Sequence, residues 1–372
     1  MNRLLAAVLI CGWGAASAFA VSSDDAQRWL TLTRPDSLVG WHAADAKPEG
    51  WQMAGGVLRG DQQSAPLRCE WAFGNFEVEL HWSAQPGAAW QIGCAPIGDE
   101  GKPEEAATLT LSDGEACGRL TYNGRTLAGE QAPELRDADQ HHALLQRSGK
   151  TFTVTIDGRQ LYAAELPLTA KIQLTLDLTG GAGELRNLRV REPRGESLLQ
   201  DGLAGWWTPG NIEAWSIEDG VLSKFGRGGN YLRSEQEYSD FTLSLEYKLV
   251  EGNNSGIGIR TPRDGWPSRD GMELQIYDRP GLEPNSNMSL YGHVKPLARA
   301  DRPDQWNRTV VRAQGRLISA WVDGQLVQHA DTSQHQGLKN KPLSGWIGFQ
   351  DHGGQIAFRD VYLLDLSASE QP

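Results

Sequence analysis

The chain has 372 residues and a formal net charge of −12, with 47 acidic against 35 basic side chains. Such a surface repels phosphate backbones and anionic lipid headgroups, so nucleic acid and peripheral membrane partners are not expected. The length exceeds what one core usually holds, and two domains are expected.

Residues 1–20 read as an export signal. Arg3 supplies the positive start, Leu4 to Ala18 are apolar or small, and Ala18-Phe19-Ala20 is a small-x-small cleavage site. The run is too short for a good membrane span. Ile10 is a poor fit to the small residue that lipoprotein processing at Cys11 needs. The expected mature chain begins near Val21 and is extracytoplasmic, periplasmic or secreted, with no membrane insertion after cleavage. Residues 21–36 form a short N-terminal segment, with one short helix expected over Asp24 to Thr33.

Beyond it, helical periodicity is nearly absent and alternation is everywhere. Phe76 to Leu80, Phe152 to Ile156 and Phe241 to Tyr247 each place apolar residues on one face at period two. Asp157-Gly158 and Asp323-Gly324 sit between such segments as hairpin turns. The prediction is an all-β chain of two tandem sandwiches, over residues 37–193 and 198–368. Their boundary lies near the polar stretch Glu192-Pro-Arg-Gly-Glu196. Cys69, Cys94 and Cys117 all fall in the first sandwich. An oxidising compartment permits one disulfide among them in any of three pairings, and burial as small apolar residues is the other reading.

The two halves repeat at an offset of about 165 residues. Gly40-Trp41 returns as Gly205-Trp206, Trp51 and Gly56 as Trp215 and Gly220, Gly93 as Gly258, and Asp157-Gly158 as Asp323-Gly324. Turns and core positions recur, whereas polar residues do not. Where the second half has Arg260, Glu273, Gln275 and His352, the first has Ala95, Thr108, Thr110 and Thr179.

Three segments of the second half read as strands that carry these residues. In Asn254-Ser-Gly-Ile-Gly-Ile-Arg260, parity puts Asn254, Gly256, Gly258 and Arg260 on one face and Ile257 and Ile259 in the core. In Met272-Glu-Leu-Gln-Ile-Tyr-Asp278, Glu273, Gln275 and Tyr277 oppose Met272, Leu274 and Ile276. In Ile347-Gly-Phe-Gln-Asp-His352, Gln350 and His352 oppose Phe349. Polar residues on the outer face of a half-buried sheet are ordinary in antiparallel proteins. The repeat weighs against that reading here, because the first half keeps the scaffold without the charged set.

These motifs carry a family resemblance. Asn254-Ser255-Gly256 through Arg260, Gly271 through Asp278, Leu290-Tyr291-Gly292, Gln305-Trp306-Asn307, Gln350-Asp-His-Gly353 and Phe358-Arg359-Asp360 resemble the 3-keto-disaccharide hydrolase domain family over Leu198 to Leu366. Met272 stands where an aromatic is usual, and Asp360 where Asn is usual. The first half, over Ser37 to Val190, looks like a degenerate relative.

The resemblance implies concanavalin A-like jelly-roll sandwiches and a secreted hydrolase or lyase acting on 3-keto-glycosides or 3-keto-disaccharides. A C3 ketone acidifies the C2 proton, a base removes it, the C1 group leaves and water adds. Glu273 and His352 would divide the base and acid roles. Arg260 with Gln275 or Gln350 would hold the enolate oxygen, and Asn254, Tyr291 and Trp266 would contact sugar. The partner is then an oxidised carbohydrate. No cofactor is implied, and a divalent metal shared by Glu273 and His352 stays open.

Two alternatives remain. A non-catalytic carbohydrate-binding sandwich fits the 13 tryptophans that follow the expected signal, of 14 in the chain, although Trp206, Trp215, Trp306, Trp321 and Trp346 lie in or beside apolar strand segments. A conventional glycosidase needs two carboxylates roughly 5–9 Å apart. The strand from Met272 offers one, and a loop acid such as Asp264 or Asp270 would have to supply the second.

Overall fold

The computed structural model describes residues 28–43, 50–97, 107–168, 170–224, 228 and 230–367. The expected export signal, Cys11 and the first residues of the expected helix lie outside them. In its described part, Arg28 lies in a 3-10 turn and a strand takes the place of the helix at Leu30–Thr31. Leu30–Thr31 adds to the edge of Gly183–Arg191, with Leu30 opposite Val190. The cause is tertiary. Thr31 gives its amide and its hydroxyl to the carbonyl of Gly324, at 2.9 and 3.0 Å, and Trp29 lies under the guanidiniums of Arg189 and Arg191.

The fold is all-β and builds two antiparallel sandwiches, as expected. In the first, Phe76–Ala84 and Gly183–Arg191 are central in a sheet of eight strands. Ala89–Pro96 and Ile172–Thr179 are central in a facing sheet of seven. In the second, Phe241–Leu249 and Ile356–Asp365 hold the same places in an eight-stranded sheet. The facing sheet has five strands, in the order Trp206–Trp207, Tyr231–Tyr238, Gly345–Gln350, Asn254–Thr261 and Met272–Tyr277. The strand orders of the two sandwiches correspond, apart from two extra strands at one edge of the seven-stranded sheet.

Local chemistry explains the turns. Asp157-Gly158 and Asp323-Gly324 both have positive φ at both residues, 50° and 79° and then 48° and 81°, which suits a two-residue hairpin with right-handed strand twist. The second core is closed by Phe349 stacked on Phe358, with centroids 4.2 Å apart. Met272, Leu274, Ile276, Ile257 and Ile259 pack into this core as their parity predicts. Cys69, Cys94 and Cys117 are buried and form no disulfide. Burial pushes the Cys94 thiol up to about 12, so it packs as a neutral side chain.

The sandwiches share a boundary. Val310, Trp321 and Leu326 of the second belong to the apolar cluster of the first. Around them, Trp71 donates to Ser319 Oγ at 2.9 Å, and Trp321 donates to the carbonyl of Thr31 at 2.8 Å. His329 bridges Ser319 and Glu70, at 2.8 Å to each.

Candidate functional site

The outer face of the five-stranded sheet is set by register. Tyr231 lies opposite Gln350, and Arg233 opposite Gly348. Gly348 lies opposite Gly258, Gly258 opposite Glu273, and Gly256 opposite Gln275. The segment after this sheet extends it: Tyr291 donates its amide to the carbonyl of Glu273 at 2.9 Å, and Gln275 donates to that of Ser289 at 3.0 Å. Because side chains alternate, one row across the sheet reads Arg233, Gly348, Gly258, Glu273, Tyr291. The adjacent row reads Tyr231, Gln350, Gly256, Gln275, Ser289.

Glycine makes the centre of this face possible. A methyl group at Gly256 would come within 2.3 Å of Glu273 Oε1, so the carboxyl lies directly over that backbone. At Gly258 the space is taken by Pro267 and by the ring of Trp346. Tyr231 stands edge-on to Trp266, with centroids 5.0 Å apart and planes at 89°, and 5.8 Å from Trp346. The loop that carries Trp266 is folded over the face. Trp346 donates to the carbonyl of Pro262 at 2.8 Å, Arg233 to that of Arg263 at 2.9 Å, and Asp270 accepts from the amide of Trp266 at 2.8 Å.

Electrostatics single out Glu273. Its residue is 4% exposed, and burial pushes its carboxyl up to about 7, an effect partly offset by the Tyr231 hydroxyl. Burial, and then the Glu273 charge, hold the Tyr231 phenol well above its usual range. The two groups interact without the distance and angle of a regular hydrogen bond. Among the described residues, Tyr231 Oη, Ser289 Oγ and Gln350 Oε1 are buried with no regular hydrogen-bond partner, and all three lie in one row. Such atoms also occur elsewhere among the described residues, Trp82 Nε1 and Arg186 Nε of the first sandwich included, but three in one row give this face hydrogen-bonding groups that the fold does not pair.

The expected residues divide. Glu273, Gln275, Asn254, Tyr291, Gln350 and Trp266 gather on or beside this face; Gln275 Nε2 donates to Asn254 Oδ1 at 3.2 Å. Tyr291 is 40% exposed and stands at the rim. Arg260 does not join them. A register shift between Gly258 and Thr261, with φ of 48° at Arg260, turns its side chain off the expected face. There it is fully buried and donates to the carbonyls of Ser239 and Gly315, at 2.6 Å each, and to Asp240 at 2.9 Å. It is a structural tie between hairpins, and burial draws its guanidinium down to about 10.

His352 lies beyond the end of its strand, exposed, on the turn after Gln350. No contact or charge interaction links it to Glu273. Its neighbour Asp351 turns inward to a buried ion pair with Lys224 at 2.6 Å, and Lys224 also donates to the carbonyl of Gly354, which fixes that turn. Asp270 is engaged as the cap of Trp266 and by Arg269, so it is not a free second carboxylate. Among the described residues, no group of three or more His, Cys, Asp or Glu is placed to hold a metal ion.

Sequence reasoning missed Tyr231, Arg233, Ser289 and Trp346. Arg233 is buried between the rings of Trp207 and Trp346, 4.9 and 4.6 Å from their centroids. The alternation Tyr231-Leu232-Arg233 was a usable signal, since Leu232 is the core residue of that strand.

Residues 196–364 match the family model of the 3-keto-alpha-glucoside-1,2-lyase-like domain. The 3-keto-disaccharide hydrolase of Bacteroides thetaiotaomicron is 24% identical over 198 residues, covering 40% of this chain and 68% of the relative. Among solved structures, a glycosyl hydrolase candidate from Parabacteroides distasonis is similar at a TM-score of 0.43 and 24% identity, over 47% of this chain and 100% of that one. A carbohydrate-binding module from Bacillus subtilis is similar at a TM-score of 0.32 and 19% identity, over 43% of this chain and 94% of that one.

Proposed function

From the match of residues 196–364 to the 3-keto-alpha-glucoside-1,2-lyase-like family, we propose that the second sandwich cleaves 3-keto-glycosides by C2 deprotonation, elimination and hydration. The observation that carries this reading is Glu273, a buried carboxyl at about 7 on a face of unpartnered polar atoms. A base is most effective when its pKa lies near the working pH, and burial supplies that here. The Glu273 carboxylate takes the C2 proton, and the electron pair moves into a C2–C3 enolate. As the C3 carbonyl re-forms, the C1–O bond breaks and the leaving oxygen takes a proton. Water then adds its hydroxyl to C1 while Glu273 returns a proton to C2, leaving a free 3-keto sugar.

The acid acts at C1, the bonded neighbour of C2, and its assignment follows the sequence motif rather than a contact with Glu273. His352, exposed beside the end of the Gln350 strand, is assigned to the leaving oxygen. Gln275 and Gln350 offer amides to the sugar, and Trp266 and Tyr291 flank it. The first sandwich is assigned as a degenerate copy that braces the second, and residues 1–20 as the signal that places the protein outside the cytoplasm.

The test is aglycone release from a 3-keto-glucoside and from its unoxidised parent. Release from the keto form alone, lost in Glu273→Gln, is expected. Equal release from the unoxidised glucoside would make the protein a conventional glycosidase. Binding without turnover of either would leave a carbohydrate-binding sandwich.

A further inference from the structure

Deprotonation at C2 builds negative charge on the C3 oxygen, and the arginine expected to receive it is elsewhere. Arg260 is fully buried and spends its guanidinium on Ser239, Gly315 and Asp240. A donor for that oxygen must lie close to the base, because C2 and C3 are bonded neighbours. It must also carry a hydrogen that is not held in a regular hydrogen bond.

Tyr231 meets both conditions. Its strand is three places from that of Glu273 in the sheet, but both side chains rise from an outer face cleared by glycines, and the hydroxyl is near enough to the carboxyl for each to perturb the other. Its ring is fixed between Trp266 and Trp346, its residue is 0% exposed, and its hydroxyl has no regular hydrogen-bond partner among the described residues. We propose that Tyr231 is a catalytic residue that donates a hydrogen bond to the C3 oxygen of the substrate and strengthens it as the enolate forms. The proposal rests on the functional reading above and adds to it a role for a residue that the sequence motifs do not mark.

The arrangement has a physical rationale. A phenol beside a carboxylate base stays protonated, so it donates at any pH at which the base is ionised. In a dry site such a donor is worth far more than in water, because it needs no reorganisation as charge develops. Tyr231 keeps its proton throughout: the C2–H bond breaks, the proton passes to Glu273, and the phenol only shares its hydrogen with the enolate. Pairing a carboxylate base with a tyrosine at the enolate oxygen is an arrangement known to drive enolisation in ketosteroid isomerase.

The test compares the parent protein with Tyr231→Phe on two 3-keto-α-glucosides, one with a nitrophenyl and one with a methyl leaving group. Solvent deuterium entering at C2 is followed alongside cleavage. The expected result is a fall in kcat of about 10²–10³-fold, the range for loss of one such donor, equal for both substrates and matched by the fall in deuterium entry, with KM little changed. Fluorotyrosine at position 231, which keeps the shape of the ring, should alter the rate in step with phenol acidity. A variant within about threefold of the parent would overturn the proposal. So would a loss that grows as the leaving group worsens, which would put the phenol at the C1 oxygen, or a rate indifferent to fluorination. If the parent cleaves neither keto-glucoside, the functional reading itself falls and the assignment of Tyr231 falls with it.

Discussion

Glu273→Gln should make the protein more stable while abolishing its chemistry. In the folded protein the carboxyl is held at about 7 rather than its usual 4.5, chiefly because it is buried. Between those two pH values the folded chain keeps a proton that the unfolded chain has released, so stability falls as pH rises through the window. Above it the full penalty of burying a charge is present. A carboxyl raised this far costs the folded state about 3 kcal/mol at alkaline pH. Glutamine has nearly the same shape and no charge, and escapes the penalty. The assay is denaturant unfolding of both proteins at pH 5 and pH 8.5. Other titrating groups are common to the two and cancel in the difference. The advantage of the variant should widen by about 2.5 kcal/mol across that range. A difference that stays flat would refute the view of Glu273 as a desolvated base, whatever the variant does to catalysis.

The other predictions are shorter. On the proposed function, in which the Glu273 carboxylate is the base, the rate of keto-glucoside cleavage should rise with pH through an ionisation near 7, and a pH–rate profile reads this directly. Gly256→Ala should cost about 10²-fold in kcat by pushing aside a carboxyl that would lie 2.3 Å from the new methyl, with little change in melting temperature. Arg260→Met should cost about 3 kcal/mol in denaturant unfolding, because it removes a fully buried guanidinium that pairs with the half-buried Asp240 and leaves two carbonyls without their donors. The kcat/KM of the folded fraction should stay within a few-fold of the parent.

Strand parity was a sound guide wherever the strands were regular. It placed Glu273 and Gln275 on the outer face and Ile257, Leu274 and Phe349 in the core. It failed at Arg260, where one residue at φ of 48° shifts the register and inverts inside and outside. A bulge leaves no mark in a pattern of polar and apolar letters, because its cause is the neighbouring strand. Parity also ran out at His352, which lies past the last paired residue of its strand. The helix expected near Thr31 gave way to a strand for a reason no local window contains: the partner carbonyl belongs to Gly324, in the other sandwich. Tyr231 went unmarked because an aromatic residue in an alternating strand looks like core. Its alternation with Leu232, the core residue between Tyr231 and Arg233, is the signal that turns it outward, and the register bears that out.

The shared apolar cluster makes the sequence boundary near Glu196 a poor guide to the energetic one. Val310, Trp321 and Leu326 belong by chain to one sandwich and by packing to the other. Cut apart, the second would present those side chains to water, and the first would be left with a hole where they had been. Heat should therefore melt the pair in one step, and a sugar held over Gly256 should raise the melting point of strands far from it. Removing the first sandwich should therefore destabilise the second, although the first carries none of the acid and amide face.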